Sequence, residues 1–316
     1  MHRRQFLSAA AAVAATPLLA DDPPKKDDKK MLPAIDTHQH LWDPAKIKLN
    51  WLKKGDPLDA VYGPTEYAAA IKDLNVVKSV YMEVDVVADD REKEAEYVAG
   101  LCKDGKTTMA GAVIGGDPSD KNFGTYIAQY KDSKYVKGLR RVLHVDATPA
   151  GYMLKDEFVK GLQLVGALGM LFDLCIRPGE LPDVAKLLDK CPDTRFILDH
   201  CGNPQAKFTA KEFDKWKADM AEVAKRKNVM VKVSGFLANG WEKGKWKADD
   251  IAPVVNATID TFEPKRCMFG GDWPVCTRAG SYSDWLTALR QIISNRPEAD
   301  QKRILHDNAE RLYALK

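Results

Sequence analysis

The sequence predicts an α/β fold, a (β/α)8 barrel of the TIM type. Three observations carry this. Eight short apolar runs recur along the chain, most of them 25 to 38 residues apart, which is the length of one βα unit. Helix-period stretches separate them, and strands alternating with helices imply a parallel sheet. The alternative, an open doubly wound sheet, wants a glycine-rich phosphate loop after an early strand, and none is present.

The strand readings, in order, are AIDTH (34–38), SVYMEV (79–84), MAGAVIG (109–115), VKGLRRVL (136–143), MLFDLCI (170–176), RFILDH (195–200), VMVKVSG (229–235) and CMFGGD (267–272). Each is a short run rich in apolar residues, the pattern of a strand buried on both faces. Helical patterns are read at 64–74, 91–102, 156–168, 181–189, 213–225 and 251–262. Pro64 and Pro182 fall where a helix's first turn tolerates proline. The longest gap holds residues 41–63, LWDPAKIKLNWLKKGDPLDAVYG, which lack a clean period and carry two prolines and two tryptophans. A loop of that length leaving the first strand is read as a lid or specificity loop over the barrel mouth.

The first 20 residues are set apart. Arg3 and Arg4 precede Gln5-Phe6-Leu7 and an alanine-rich apolar run that reaches Ala20. This is the pattern of a twin-arginine signal peptide, which implies the twin-arginine export machinery as a partner and a periplasmic or otherwise exported mature protein. The run is too short and alanine-rich to span about 30 Å of hydrocarbon, so no stable membrane span is expected after cleavage. Residues 21–30, DDPPKKDDKK, read as a disordered linker, leaving 31–316 as the barrel. A net charge of +3 with 29% charged residues points away from a nucleic-acid partner and toward a small-molecule substrate. Six cysteines with no CxxC pair do not form a disulfide framework and read as small buried apolar residues.

In such a barrel the C-terminal strand ends converge on one mouth. His38 and His40, two apart on one strand face, make a half-site for zinc or a similar divalent ion. The later ends supply Glu83 and Asp85, then Arg140, Arg141 and His144, then Asp173, Asp199-His200, Lys232 with Ser234, and Asp272-Trp273. Buried charges cost several kcal/mol, on the order of 5, unless paired or metal-bound, so ionisable residues gathered at one rim indicate a site rather than folding chemistry. Trp42 and Trp273 could form a sugar-stacking wall, with core packing as the alternative. His306 reads as structural.

The segments HQHLWDP, KGLRRVL, LFDLCI, FILDHCGNP, VKVSG, MFGGDWPVC and HDNAERLYAL, in this order between residues 34 and 315, resemble the amidohydrolase-related family, in its branch of sugar and dicarboxylate lactonases. The resemblance implies a metal-dependent-hydrolase barrel in which His38 and His40 match the strand-one pair, His200 the strand-six histidine and Asp272 the strand-eight aspartate. Relatives in this branch often carry Gln where this chain has Glu83. An anionic Glu83 would complete a mononuclear site with His38, His40 and Asp272, for zinc or manganese. Arg140 and Arg141 stand where two-metal relatives place a bridging lysine, which argues against a binuclear centre.

The activity this implies is hydrolysis of a sugar-derived or dicarboxylic-acid lactone. Asp272 would activate water, with or without the metal. His200 and Lys232 would polarise the carbonyl where no metal does. Arg140 and Arg141 would hold substrate, the alternation of a strand favouring Arg140 as the one facing inward, and His144 is a further candidate contact. Two alternatives stand beside this reading: a metal-dependent decarboxylase of the same superfamily, and a non-catalytic periplasmic binding protein.

Overall fold

Eight parallel strands pair in chain order, each with the next, in the computed structural model, which describes residues 31–204, 206–238 and 240–315. They are β1 Ala34–Gln39, β2 Val76–Met82, β3 Met109–Gly115, β4 Val136–Val142, β5 Leu171–Cys175, β6 Arg195–Leu198, β7 Val229–Val233 and β8 Cys267–Phe269. Helices α1 Pro64–Ala70, α2 Arg91–Asp104, α3 Phe123–Ala128, α4 Asp156–Ala167, α5 Leu181–Lys190, α6 Ala210–Ala224, α7 Ala248–Phe262 and α8 Tyr282–Ile293 follow the strands one by one. This is the (β/α)8 order expected. The signal-peptide and linker readings fall on residues outside those described.

Inside the barrel, Ile35, Val80, Met82, Val113, Leu171, Ile197 and Met268 pack together with Tyr313 and Leu315 from the C-terminal segment. A larger apolar layer, in which Ile114, Leu139 and Phe172 on strands join Val98, Leu162, Val184 and Leu289 on helices, lies between sheet and helices. Each such side chain contributes about 1.5–3 kcal/mol by leaving water. All six cysteines are buried and free, as their composition suggested. No helix among the described residues is long and apolar enough to cross a membrane.

Two helices escape the sequence reading, α3 and α8. The latter is announced by a capping box in which the Ser281 hydroxyl accepts from the Asp284 amide at 3.0 Å and the Asp284 carboxylate accepts from the Ser281 amide at 2.7 Å. Six strands also end earlier than their apolar runs, among them β2 before Glu83, β6 before Asp199, and β8 before Gly270. At each point the backbone leaves the ladder, and beyond it Asp85, His200 and Asp272 reach the cavity.

The short β8 has a consequence for closure. The seam is made just beyond it, where the Asp272 amide donates to the His38 carbonyl at 2.7 Å and the His40 amide donates to the Trp273 carbonyl at 2.8 Å. Buried Asp36 reinforces it by accepting from the Gly271 amide at 2.7 Å and from the Tyr67 and Tyr282 hydroxyls at 2.9 and 3.0 Å.

Candidate active site

The mouth opens into a cavity of about 1050 Å³ whose lining includes His40, Trp42, Arg140, His144, His200 and Asp272. Non-glycine residues in left-handed backbone cluster there: Asp85 (φ 50), His200 (φ 53) and Asp272 (φ 54). Such conformations cost about 1–3 kcal/mol each and persist only where the surroundings hold them, as active sites do. His200 also needs its neighbour to be glycine, because a Cβ on Gly235 (φ +77) would stand 2.4 Å from the imidazole Cγ.

His38 in β1 and His40 just past its end are fixed with their Nε2 atoms toward Asp272. The Nδ1 of His40 lies 2.8 Å from the Met82 carbonyl, which only accepts, so Nδ1 carries the hydrogen. Its Nε2 is then an acceptor, 3.4 Å from Asp272 Oδ1. The Nε2 of His38 lies 3.8 Å from the same oxygen. These three buried residues bring one ligand atom each to within 4.8 Å of one another, a spacing that can hold a metal ion. Two imidazoles and a carboxylate suit a divalent ion of the zinc type, so the donor set fits the expected cofactor. Arg140 stands beside it, with Nη1 3.2 Å from His38 Nε2. The guanidinium and an ion therefore compete for one lone pair.

Glu83 does not join this group, contrary to the sequence reading. Its Oε1 accepts from Arg140 Nε at 2.6 Å, its Oε2 accepts from the Asp85 amide at 2.7 Å, and its carbonyl accepts from Arg140 Nη2 at 2.6 Å. The reason is electrostatic: a fully buried guanidinium needs a carboxylate, and Glu83 supplies it. Burial works against the Arg140 charge, and Glu83 with Asp199 outweighs it, holding the group above its ordinary range.

Lys232 is likewise corrected from carbonyl polariser to buried support. It lies beneath the cavity, bonded to Asp173 and 3.2 Å from Asp199, with no exposure. Burial opposes its charge, but the two carboxylates together raise its pKa. Arg141 faces away from Arg140, as alternation requires, and pairs with Asp85 at 3.1 Å and Asp117 at 3.4 Å, behind the cavity wall rather than on it. Trp273 turns into an aromatic layer, 5.5 Å from Tyr62 and 5.3 Å from Tyr67 between ring centroids, so it supports the wall without lining it. Packing prevails there over stacking on a ligand.

Trp42 and His144 do line the cavity. Burial lowers the His144 pKa to about 4, with Arg140 adding to the effect, so its imidazole is neutral. His200 is lowered too, by burial first, with Asp272 and Asp199 opposing. Its Nδ1 is 2.9 Å from Ser234 Oγ. His306 sits away from the site and pairs with Asp307 at 2.9 Å.

The 41–63 segment contributes Trp42 and Trp51 to the cavity lining. Trp42 and Tyr62 exchange backbone hydrogen bonds of 2.9 Å across it, and Asp56 takes two bonds from Arg278 at 3.1 and 3.0 Å. Trp51, Arg177 and Arg278 line the cavity and are missed by the sequence reading, which names Asp199 as a strand-end group but gives it no role. Trp51 was legible as an aromatic in a long functional loop. Asp199 adjoins a singled-out histidine, but nothing local shows that it reaches His38.

A family model described as amidohydrolase matches residues 35–315. An L-fucono-1,5-lactonase of Burkholderia multivorans is 27% identical over 293 residues, covering 89% of this chain and 96% of the relative. A crystal structure of an amidohydrolase from Burkholderia multivorans with bound zinc superposes with a TM-score of 0.80 at 24% identity, covering 90% of this chain and all of that one. A probable 2-pyrone-4,6-dicarboxylic acid hydrolase from Acinetobacter baumannii, with citric acid bound, superposes with a TM-score of 0.70 at 16% identity, covering 90% of this chain and 100% of that one. These two likenesses concern the fold.

Proposed function

Because the chain belongs to the amidohydrolase family, with residues 35–315 matched, we propose that it is a hydrolase opening the ring of a sugar-derived or dicarboxylic-acid lactone, and that it works after export. One observation carries the reaction: Asp272 presents its carboxylate to the cavity beside His40 and His38. The lactonase relative supports the substrate class. The paired arginines at the N-terminus support the compartment.

The chemistry is ester hydrolysis. Water adds through oxygen to the ring carbonyl carbon while Asp272 takes its proton. The tetrahedral intermediate then collapses, the bond from carbon to the ring oxygen breaks, and Asp272 returns the proton to the departing alkoxide. Arg140 places a permanent positive charge near the developing oxyanion, the role first given to Lys232. His38, His40 and Asp272 would hold a divalent ion, zinc or manganese, which supplies Lewis acidity toward the carbonyl when bound. Trp42 and Trp51 form an apolar wall for a sugar ring.

Between the two substrate classes, the charges favour an uncharged sugar lactone. Each of the arginines lining the cavity already faces a carboxylate: Arg140 with Glu83 at 2.6 Å, Arg177 with Glu180 at 3.4 Å and Arg278 with Asp56 at 3.0 Å. Substrate carboxylates would have to displace these partners.

The test is a product assay on sugar-derived lactones, dicarboxylate lactones and aromatic carboxylic acids. Acid release from a lactone without carbon dioxide is expected. Carbon dioxide from an aromatic acid, with every lactone left intact, would replace this reading with the decarboxylase.

A further inference from the structure

Under the cavity floor lies a carboxylate that no step above uses. Asp199 is fully buried and sits among three cationic or ring nitrogens drawn from three other strands or their ends. Lys232 Nζ is 3.2 Å from Oδ1, His38 Nδ1 is 3.4 Å from the same oxygen, and Arg140 Nη1 is 3.6 Å from Oδ2. Asp173 binds the other side of Lys232, so the lysine charge is shared between two acids.

The opposite edge of the His38 ring settles its tautomer. Nε2 faces Arg140 Nη1 at 3.2 Å, and a guanidinium has donors but no acceptor. Nε2 must therefore be the lone-pair nitrogen, which leaves the hydrogen on Nδ1, the ring nitrogen 3.4 Å from Asp199 Oδ1. We propose that Asp199 is a positioning residue that fixes His38 in the Nδ1–H tautomer and turns its Nε2 lone pair toward Asp272 and the cavity. Lys232 and Asp173 act one layer further down: Lys232 pairs with Asp199 at 3.2 Å, and Asp173 keeps Lys232 from being an unbalanced cation. Outer carboxylates that orient ligating histidines serve the same end in metal sites generally.

The tautomer stands on the geometry alone; its catalytic consequence rests on the lactone-hydrolase reading. The test is nitrogen NMR of the full-length protein labelled in its six histidines, at pH 8 without added metal, with His38 assigned through His38→Gln. A protonated Nδ1 and a bare Nε2 on His38 are expected, and the reverse would overturn the proposal. In Asp199→Asn, Arg140 still holds Nε2 as the acceptor but Nδ1 loses its anionic neighbour, so the His38 Nδ1 resonance is expected to shift and affinity for zinc to fall by about 10–100-fold. An unchanged His38 spectrum and unchanged zinc affinity in that variant would also overturn it. Should the variant not fold, the wild-type spectrum decides. Should the wild type hydrolyse no lactone, the functional reading fails while the tautomer is still read directly.

Discussion

The Asp272 amide donates to the His38 carbonyl at 2.7 Å, so the joint that closes the barrel also sets the distance between two members of the site. Closure by an ordinary ladder would have left the Asp272 side chain wherever β8 happened to end. Here β8 has already ended at Phe269, and the left-handed turn at Asp272 (φ 54) aims the carboxylate at the histidines.

That turn separates two variants of one residue. Asparagine tolerates the left-handed region, and a β-branched residue does not, at a difference of about 1–2 kcal/mol. Asp272→Asn is expected to melt close to wild type, and Asp272→Val several degrees lower. Equal melting temperatures would show that the turn is not strained.

A second expectation concerns Arg140. Its Nη1 competes with an ion for His38 Nε2 at 3.2 Å, so Arg140→Gln should bind zinc more tightly, by about tenfold for each 1.4 kcal/mol of competition removed. Competition with a chromophoric chelator measures this. Equal or weaker binding in the variant would mean that the guanidinium and the ion do not share the lone pair. The same variant strands Glu83 as a buried charge and should lose about 3–5 kcal/mol of stability.

The barrel was legible because apolar runs at βα spacing leave few other ways to bury them, and His38, His40, His200 and Asp272 were legible as strand-end residues. Partnership was not. Glu83 and Lys232 look like a ligand and a catalytic cation in one dimension. Their partners, Arg140 and the acids Asp173 and Asp199, come from other strands, and only the closed barrel shows that each charge is already taken. Trp42 lines the cavity while Trp273 packs on Tyr62 and Tyr67, a difference that spacing does not encode.

Glu94 gives the stability a pH dependence. Burial first, and then the neighbouring Glu83 charge, push its pKa from 4.5 up to about 8, while its carboxylate accepts from the Tyr81 hydroxyl at 2.7 Å and the Val84 amide at 2.9 Å. The folded protein thus keeps a proton that the unfolded chain releases near 4.5. The resulting stability is fully present below 4.5 and is lost as pH rises toward about 8. Glu94→Gln keeps the neutral group at every pH. Its melting temperature relative to wild type should therefore climb between pH 5 and 9, by about 2–4 °C per kcal/mol. Parallel curves for the two proteins would contradict the assignment.

The bond pair between Asp56 and Arg278 pins the 41–63 segment to the loop after β8, at a half-exposed position where such pairs contribute about 0.2–1 kcal/mol. Asp56→Asn should raise KM by about two- to fivefold and leave kcat within a factor of about two, since the segment lines the cavity without touching the reacting atoms. A fall in kcat with KM unchanged would move the segment into the chemistry.

The most direct test of the account is acid release from the best lactone of the panel by wild type and Asp272→Asn in parallel, with folding checked by circular dichroism. The account predicts rapid release by wild type and a loss of about 10²–10⁴-fold or more in kcat for the folded variant. Comparable rates from the two proteins would contradict Asp272 as the group that moves the proton.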